Sequence, residues 1–254
     1  MDRLSKLLSS GKMVMSAWTG QQDPLYMAAL AETDFEVIII DMQHGMATES
    51  SVISTIATVA PTGKPVLVRV PVGRFDFVSK ALDAGAHGII APMINTVEDA
   101  RKLASFGKYI PIGDRSFGPG YTISVLKTTI PKYVEAANRD TVILPMIETQ
   151  QAFDNLDAIL DVEGIDGFFL GPGDLSVSVR QNPMPDAYGD ATIDMIRAMK
   201  AAAEKRGKLS TGWCGTVQQA EIVSEIGFSL ASLGSDGAYI NQGANTMLSS
   251  LSFR

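Results

Sequence analysis

Short runs of aliphatic and β-branched residues alternate along the chain with longer stretches in which apolar positions recur every three or four residues. The first kind predicts strands at residues 13–18, 35–40, 65–70, 88–93, 141–147, 167–170, 208–213 and 228–233. The second predicts helices at residues 23–31, 49–60, 76–84, 96–106, 151–160, 193–206, 217–226 and 238–251. Start and stop signals fall where the pattern changes. Asp23 is placed to cap its helix, with Pro24 at the first helical position. Gly85 follows the helix at 76–84 as a stop. Asn95 precedes the helix at 96–106, and Glu98 completes an expected capping box. The strand at 35–40 is apolar on both faces, as a parallel strand covered on both sides must be.

Eight strand–helix units in 254 residues predict an α/β fold whose parallel sheet closes as a (β/α)8 TIM barrel, one domain over residues 1–254. An open dinucleotide-binding sheet would want Gly-x-Gly-x-x-Gly directly after the first strand. Trp18-Thr19-Gly20-Gln21-Gln22-Asp23 does not supply it. Residues 107–131 break the rhythm, with Gly107, Pro111, Gly113, Gly118, Pro119, Gly120 and Pro131. A loop this long within a compact domain is usually functional. Here it is expected to close over substrate or to touch another subunit.

Composition narrows the function. At 46% hydrophobic residues the chain is too apolar for disorder. Lys plus Arg number 21 and Asp plus Glu 28, a net charge of −7, which argues against nucleic-acid binding. Cys214 is the one cysteine, so no internal disulfide forms and a reducing compartment is expected. Residues 1–10 lack the apolar core of a signal peptide. No run approaches the roughly 20 apolar residues of a membrane helix. A cytoplasmic protein acting on small molecules, away from membranes, is the expectation.

In a barrel of this kind, chemistry sits where the strands end. Asp41, Gln43 and His44 follow the second strand, and Arg69 ends the third. Glu148 follows the fifth, and Gly171-Pro172-Gly173-Asp174 the sixth. One His, one Arg and three carboxylates therefore converge on one face. An imidazole pKa of about 6.5 suits His44 to proton transfer near neutrality, against the competing role of a structural histidine. His87 opens a strand at the opposite face and is expected to be structural. Arg69 offers a planar, permanently charged fork suited to a carboxylate or enolate; the alternative is a barrel-end ion pair. Glu148 and Asp174 on successive strand ends need a cation or a raised pKa. Two carboxylates with waters suit Mg²⁺ or Mn²⁺. Alternatively, Glu148 pairs with Arg69 and Asp174 only caps a helix. Gly171 and Gly173 permit a tight turn whose N–H groups could meet an anion. Trp213 and Cys214 follow the seventh strand and are expected to border the pocket. Asp83, in the last turn of its helix, opposes the helix dipole. Its helix ends at the barrel's lower face, so a meeting with His44 would cross subunits or need local distortion.

Together, residues 41–44, Arg69, Leu82 to Gly85, Ala91-Pro92-Met93, Arg115-Ser116 with Gly118, Ile147-Glu148-Thr149 and Gly167 through Ser176 resemble the HpcH/HpaI aldolase/citrate lyase family. Within it the chain is similar to the class II, metal-dependent 2-oxo-acid aldolases. The resemblance covers nearly the whole chain. It implies that His44 is the acid/base, that Asp83 raises its basicity, and that Arg69 stabilises the pyruvate enolate. It implies that Glu148 and Asp174 ligate a divalent metal, Mg²⁺ or Mn²⁺ with Co²⁺ as a further candidate, and that the Gly173 backbone contacts pyruvate. It also implies a homo-oligomer, a hexamer built as a trimer of dimers, with the last helix exchanged between neighbours. Two departures stand out. Many members carry Glu before the catalytic His, where this chain has Gln43. Many carry Gln two residues before the metal Glu, where it has Met146.

The implied chemistry is reversible cleavage of a 4-hydroxy-2-oxo acid to pyruvate and an aldehyde through a metal-stabilised enolate. A Schiff-base route wants a buried lysine at a strand end, and no strand clearly ends in one. The rivals are a citrate-lyase-like enzyme of acyl-CoA, which should show a basic nucleotide site, and a metabolite binder without turnover. A third is a phosphate-binding isomerase using Gly234-Ser235-Asp236-Gly237 at a helix N-terminus.

Overall fold

The computed structural model describes residues 2–253. Eight parallel strands close into a barrel in sequence order: β1 Val14–Thr19, β2 Val37–Asp41, β3 Val66–Arg69, β4 Gly88–Ala91, β5 Val142–Ile147, β6 Gly167–Leu170, β7 Leu209–Cys214 and β8 Leu230–Leu233. β8 returns to β1 with Val14 opposite Leu230 and Ser16 opposite Ser232. The expected (β/α)8 barrel is the observed fold. Side chains alternate along each strand. One set, including Val14, Ile39, Leu67, Ile90, Leu144 and Phe169, fills the barrel, with Trp18 and Met146 in the same cluster. The other set, including Ile38, Val68, Ile89, Phe168, Leu170 and Cys214, packs beneath the helices.

Several elements lie outside the pattern read from the sequence. Helix Asp2–Leu8 places fully buried Leu4 in the inner cluster, closing that cluster at the strands' N-terminal end. The excursion after β4 holds a short helix, Gly120–Val125, and runs into helix Ile130–Asp140. Buried Lys108 anchors it: its Nζ donates to the carbonyls of Asn138 (2.9 Å) and Thr141 (2.6 Å) and pairs with Asp166 at 2.8 Å. The turn after β6 is at once the start of helix Pro172–Arg180. Helix Val97–Gly107 is capped by Thr96, not Asn95. The Thr96 hydroxyl accepts the Asp99 N–H at 3.1 Å and the Asp99 carboxylate accepts the Thr96 N–H at 3.0 Å, so Asp99 takes the part expected of Glu98.

His87 is structural, as expected. Its Nδ1 accepts the Val66 N–H at 3.2 Å, and burial pushes the imidazole pKa down to about 4. Among the described residues, no helix is long and apolar enough to cross a membrane.

Candidate active site

The C-terminal ends of the strands open into a cleft of about 560 Å³, lined by Trp18, His44, Arg69, Met146, Asp174 and Trp213 among others. Its floor begins with register. Asp41 stands directly opposite Arg69 on β3. The guanidinium grips both carboxylate oxygens, Nε to Oδ1 at 2.8 Å and Nη2 to Oδ2 at 2.6 Å. Asp41 Oδ1 also accepts the N–H groups of Gln43 (2.9 Å) and His44 (3.3 Å). Burial raises the Asp41 pKa, but the hydrogen bonds and charge of Arg69, with these two N–H groups, outweigh it and hold the carboxyl below its usual range. The fixed carboxylate thus shapes the turn that carries His44. Arg69 lies over the Trp18 ring, 4.7 Å from its centroid.

The same turn admits only glycine at its tip. A Cβ on Gly45 would lie 2.2 Å from the Asp41 carbonyl oxygen and 2.4 Å from the Gly20 Cα. The loops after β1 and β2 therefore touch backbone to backbone, and Met46 N–H donates to Gly20 O at 2.7 Å. His44 is exposed in the cleft, and its ring has no hydrogen bond among the described residues.

Glu148 lies beneath the cleft, 1% exposed. Its Oε1 accepts the Met93 N–H at 2.7 Å, from a residue held at φ 56 in the left-handed region. Its Oε2 is buried without a partner. Burial is the main force raising its pKa to about 7. The Asp174 charge adds to the rise; the Met93 N–H and Arg69 oppose it. A Cβ on Gly171 would come 2.6 Å from Oε2, so a side chain there would fill the place beside that oxygen. Asp174 sits exposed in the first turn of helix Pro172–Arg180, where the Cβ position of Gly173 faces open space. A buried carboxylate with one unsatisfied oxygen, next to a second carboxylate, fits a cation. Among the described residues no group of three or more His, Cys, Asp or Glu side chains is arranged for a metal. Glu148 and Asp174 would thus leave the remaining coordination to substrate and water.

The structure brings Asp41, His44, Arg69, Gly171, Gly173, Asp174 and Trp213 together around one cleft, above Glu148. Arg69 pairs with Asp41, which leaves Glu148 without the ion pair weighed for it. Two expected residues lie elsewhere. Cys214 is fully buried on the outer side of β7, because it follows inward-facing Trp213 by one residue; its Sγ lies 3.4 Å from the Tyr188 hydroxyl. Asp83 does not meet His44 within the chain. It pairs with Arg115 at 2.6 Å, and Arg115 also donates to the Tyr133 hydroxyl at 3.0 Å. Burial raises the Asp83 pKa against the pull of Arg115. Three residues contribute in ways the sequence did not assign to them. Trp18 stands one residue before the end of β1 on the inward side, a position that strand parity could have flagged. Met93 acts through its backbone, and Asp236 lies in the first turn of the last helix. The Asp236 carboxylate accepts the Gly20 N–H at 2.8 Å and the Tyr26 hydroxyl at 2.7 Å.

Residues 15–242 match the sequence profile of the HpcH/HpaI aldolase/citrate lyase family. The chain belongs to that family. Over 248 residues, 98% of each chain, it is 33% identical to the hydroxypyruvate/pyruvate aldolase of Rhizorhabdus wittichii. It is 32% identical to the 2-keto-3-deoxy-L-rhamnonate aldolase of Escherichia coli strain K12 over 209 residues, 80% of this chain and 77% of that one. The crystal structure of an HpcH/HpaI aldolase from Desulfitobacterium hafniense DCB-2 shares the fold, with TM-score 0.86, 24% identity, and 99% and 98% of the two chains covered. Family membership and these aldolase relatives identify the chain as an enzyme of the aldolase type, a carbon–carbon lyase.

Proposed function

We propose that this family member is a divalent-metal-dependent pyruvate aldolase that reversibly cleaves a 4-hydroxy-2-oxo acid to pyruvate and an aldehyde. The observation that carries the reading is Glu148, with one oxygen fixed by the Met93 N–H and the other buried and free. Glu148 and Asp174 would hold Mg²⁺ or Mn²⁺, with Co²⁺ as an alternative. Such an ion would supply Lewis acidity to the bound 2-oxo acid. The first-turn N–H groups of helix Pro172–Arg180, at Gly173 and Asp174, suit the substrate carboxylate. His44 takes the 4-hydroxyl proton, the C3–C4 bond breaks, and its electron pair becomes the pyruvate enolate. Arg69 has N–H groups beyond the two that bind Asp41, and its fixed charge stabilises that enolate. C4 leaves as the aldehyde when the C3–C4 bond breaks, and the proton held by His44 is returned to C3 of the enolate, which releases pyruvate.

Nothing in the cleft favours the rival readings. Arg69 is the only Lys or Arg among its described lining residues, too little for the phosphates of an acyl-CoA. The Asp236 carboxylate sits where the isomerase reading would place phosphate. The same proposal includes a homo-oligomer, a hexamer, joined through the last helix; the exposed Ile240, Met247 and Leu248 on that helix support it. The buried free Cys214 accords with a cytoplasmic setting. The deciding experiment is an aldol assay with pyruvate and a panel of aldehydes, with and without EDTA. Activity is expected to vanish on chelation and return with Mg²⁺ or Mn²⁺. Full turnover by verified metal-free enzyme would refute the metal requirement.

A further inference from the structure

We infer that the acceptor aldehyde is uncharged, and that Asp236 is a specificity-determining residue that turns away aldehydes bearing a carboxylate or phosphate. The inference rests on the aldolase reading and names the substrate class of the same cleft.

Charge at the cleft wall is the first ground. Asp41, Asp174 and Asp236 line the cleft and Glu148 lies beneath it. Arg69 is the sole lysine or arginine among the described lining residues, and it is held by Asp41. Four carboxylates against one guanidinium and one divalent cation leave the site negative before the 2-oxo acid adds its own carboxylate. Apart from His44, which the proton transfer uses, no cationic side chain in the described lining is left over for a second anionic group on the aldehyde.

The second ground is what the first-turn carboxylates of two helices that open on the cleft are committed to. In Pro172–Arg180 that carboxylate is Asp174, a proposed metal ligand, and the space at Gly173 is open to an anion. In Asp236–Ser249 it is Asp236, whose charge has no cation beside it in the cleft lining. Asp236 cannot swing aside freely, because Gly20 N–H and Tyr26 O–H bind its two oxygens. Gly20 in turn is locked against Gly45. The remaining wall, Gln21, Met46, Trp213 and Gly237, is neutral. An alkyl or hydroxyalkyl aldehyde fits such a wall; a second unit charge near a fixed carboxylate in a partly desolvated cleft should lower kcat/KM about tenfold or more.

Matched aldehydes test this: butanal against succinic semialdehyde, and glyceraldehyde against glyceraldehyde 3-phosphate, each with pyruvate and Mn²⁺. The neutral member of each pair is expected to have at least about tenfold the kcat/KM of its anionic partner. Gln21→Arg, at an exposed position on the cleft wall, and Asp236→Asn should each narrow that ratio several-fold. Should Asp236→Asn fail to fold, Gln21→Arg carries the test alone, and an unchanged ratio in it overturns the inference. So does wild-type enzyme that uses the anionic members as well as the neutral ones. Deuterium exchange into the pyruvate methyl group, followed by NMR without aldehyde, separates the two levels. Exchange with a preference for anionic aldehydes overturns this inference and leaves the aldolase reading standing. Neither exchange nor aldol product with any aldehyde brings down both.

Discussion

Arg69 commits two of its five N–H groups to Asp41, and that sets what a substitution there can do. Lysine keeps the charge but has no planar fork, so it cannot hold both Asp41 oxygens and still face the substrate. Arg69→Lys is expected to lower kcat/KM by about 10²–10³-fold, the scale of losing one preorganised donor. Steady-state kinetics returning near-native values would reduce Arg69 to a barrel-end ion pair. Met146 poses a different question. It is 3% exposed, lines the cleft, and its Cε lies 3.1 Å from where a Gly171 Cβ would be. An amide there would stand beside the proposed pyruvate position. Met146→Gln is expected to tighten binding of pyruvate or oxamate about two- to tenfold, one added hydrogen bond of roughly 0.5–1.5 kcal/mol. If Met146 only fills volume, Gln buries an unpaired amide, and calorimetry will show a lower Tm with unchanged affinity.

At the scale of elements, the strands and their ends were legible because alternation and strand-end chemistry are local signals. Strand-end reading put His44, Arg69, Glu148 and Asp174 at one face, and the structure places them at one end of the barrel. Four described helices lie outside the sequence pattern, and two of them share a reason. Pro131 falls in the stretch that breaks the rhythm and Pro172 in an expected tight turn, yet each occupies the first turn of a helix, where its missing N–H costs nothing. Pro24, in the same role, was read correctly because Asp23 announced it. Pairings such as Asp83 with Arg115 were not legible, since their partners come from distant segments. His87 shows how an element can carry a pH dependence. The unfolded chain takes its proton near pH 6.5, the folded chain only at about 4. A depressed folded pKa gives stability that is complete above the unfolded value and lost as pH falls through that window, at about 1.4 kcal/mol per pH unit. His87→Asn keeps an acceptor for Val66 N–H but cannot titrate. Urea midpoints between pH 6.5 and 4 should fall less steeply for the variant, and parallel slopes would show that this buried imidazole does not set the acid limb.

For the whole molecule, the last helix is the element that the single chain does not explain. Its root is well tied: the Tyr239 hydroxyl donates to Leu233 O at 2.6 Å and accepts the Trp18 N–H at 3.0 Å. Beyond that root, among the described residues, no side-chain hydrogen bond or ion pair ties it to the rest of the chain. No residue of Asp236–Ser249 is buried, and Ile240, Met247 and Leu248 are exposed, as are Leu251 and Phe253 just after it. After Asp236 the helix carries no charged residue; Asn241, Gln242, Asn245, Thr246 and Ser249 make one uncharged polar face, and Ile240, Ala244, Met247 and Leu248 fall on the opposite, apolar one. An apolar helix face of this kind calls for a partner surface, and the proposed assembly of identical chains supplies one. The 27.1 kDa chain should therefore sediment as a multiple of its own mass. Met247→Asp combined with Leu248→Asp places two charges on that face, far from the cleft, and should shift the mass toward monomer and lower Tm. A wild-type chain that sediments as a monomer at micromolar concentration, or a double variant with unchanged mass, would remove the last helix as the element that joins subunits.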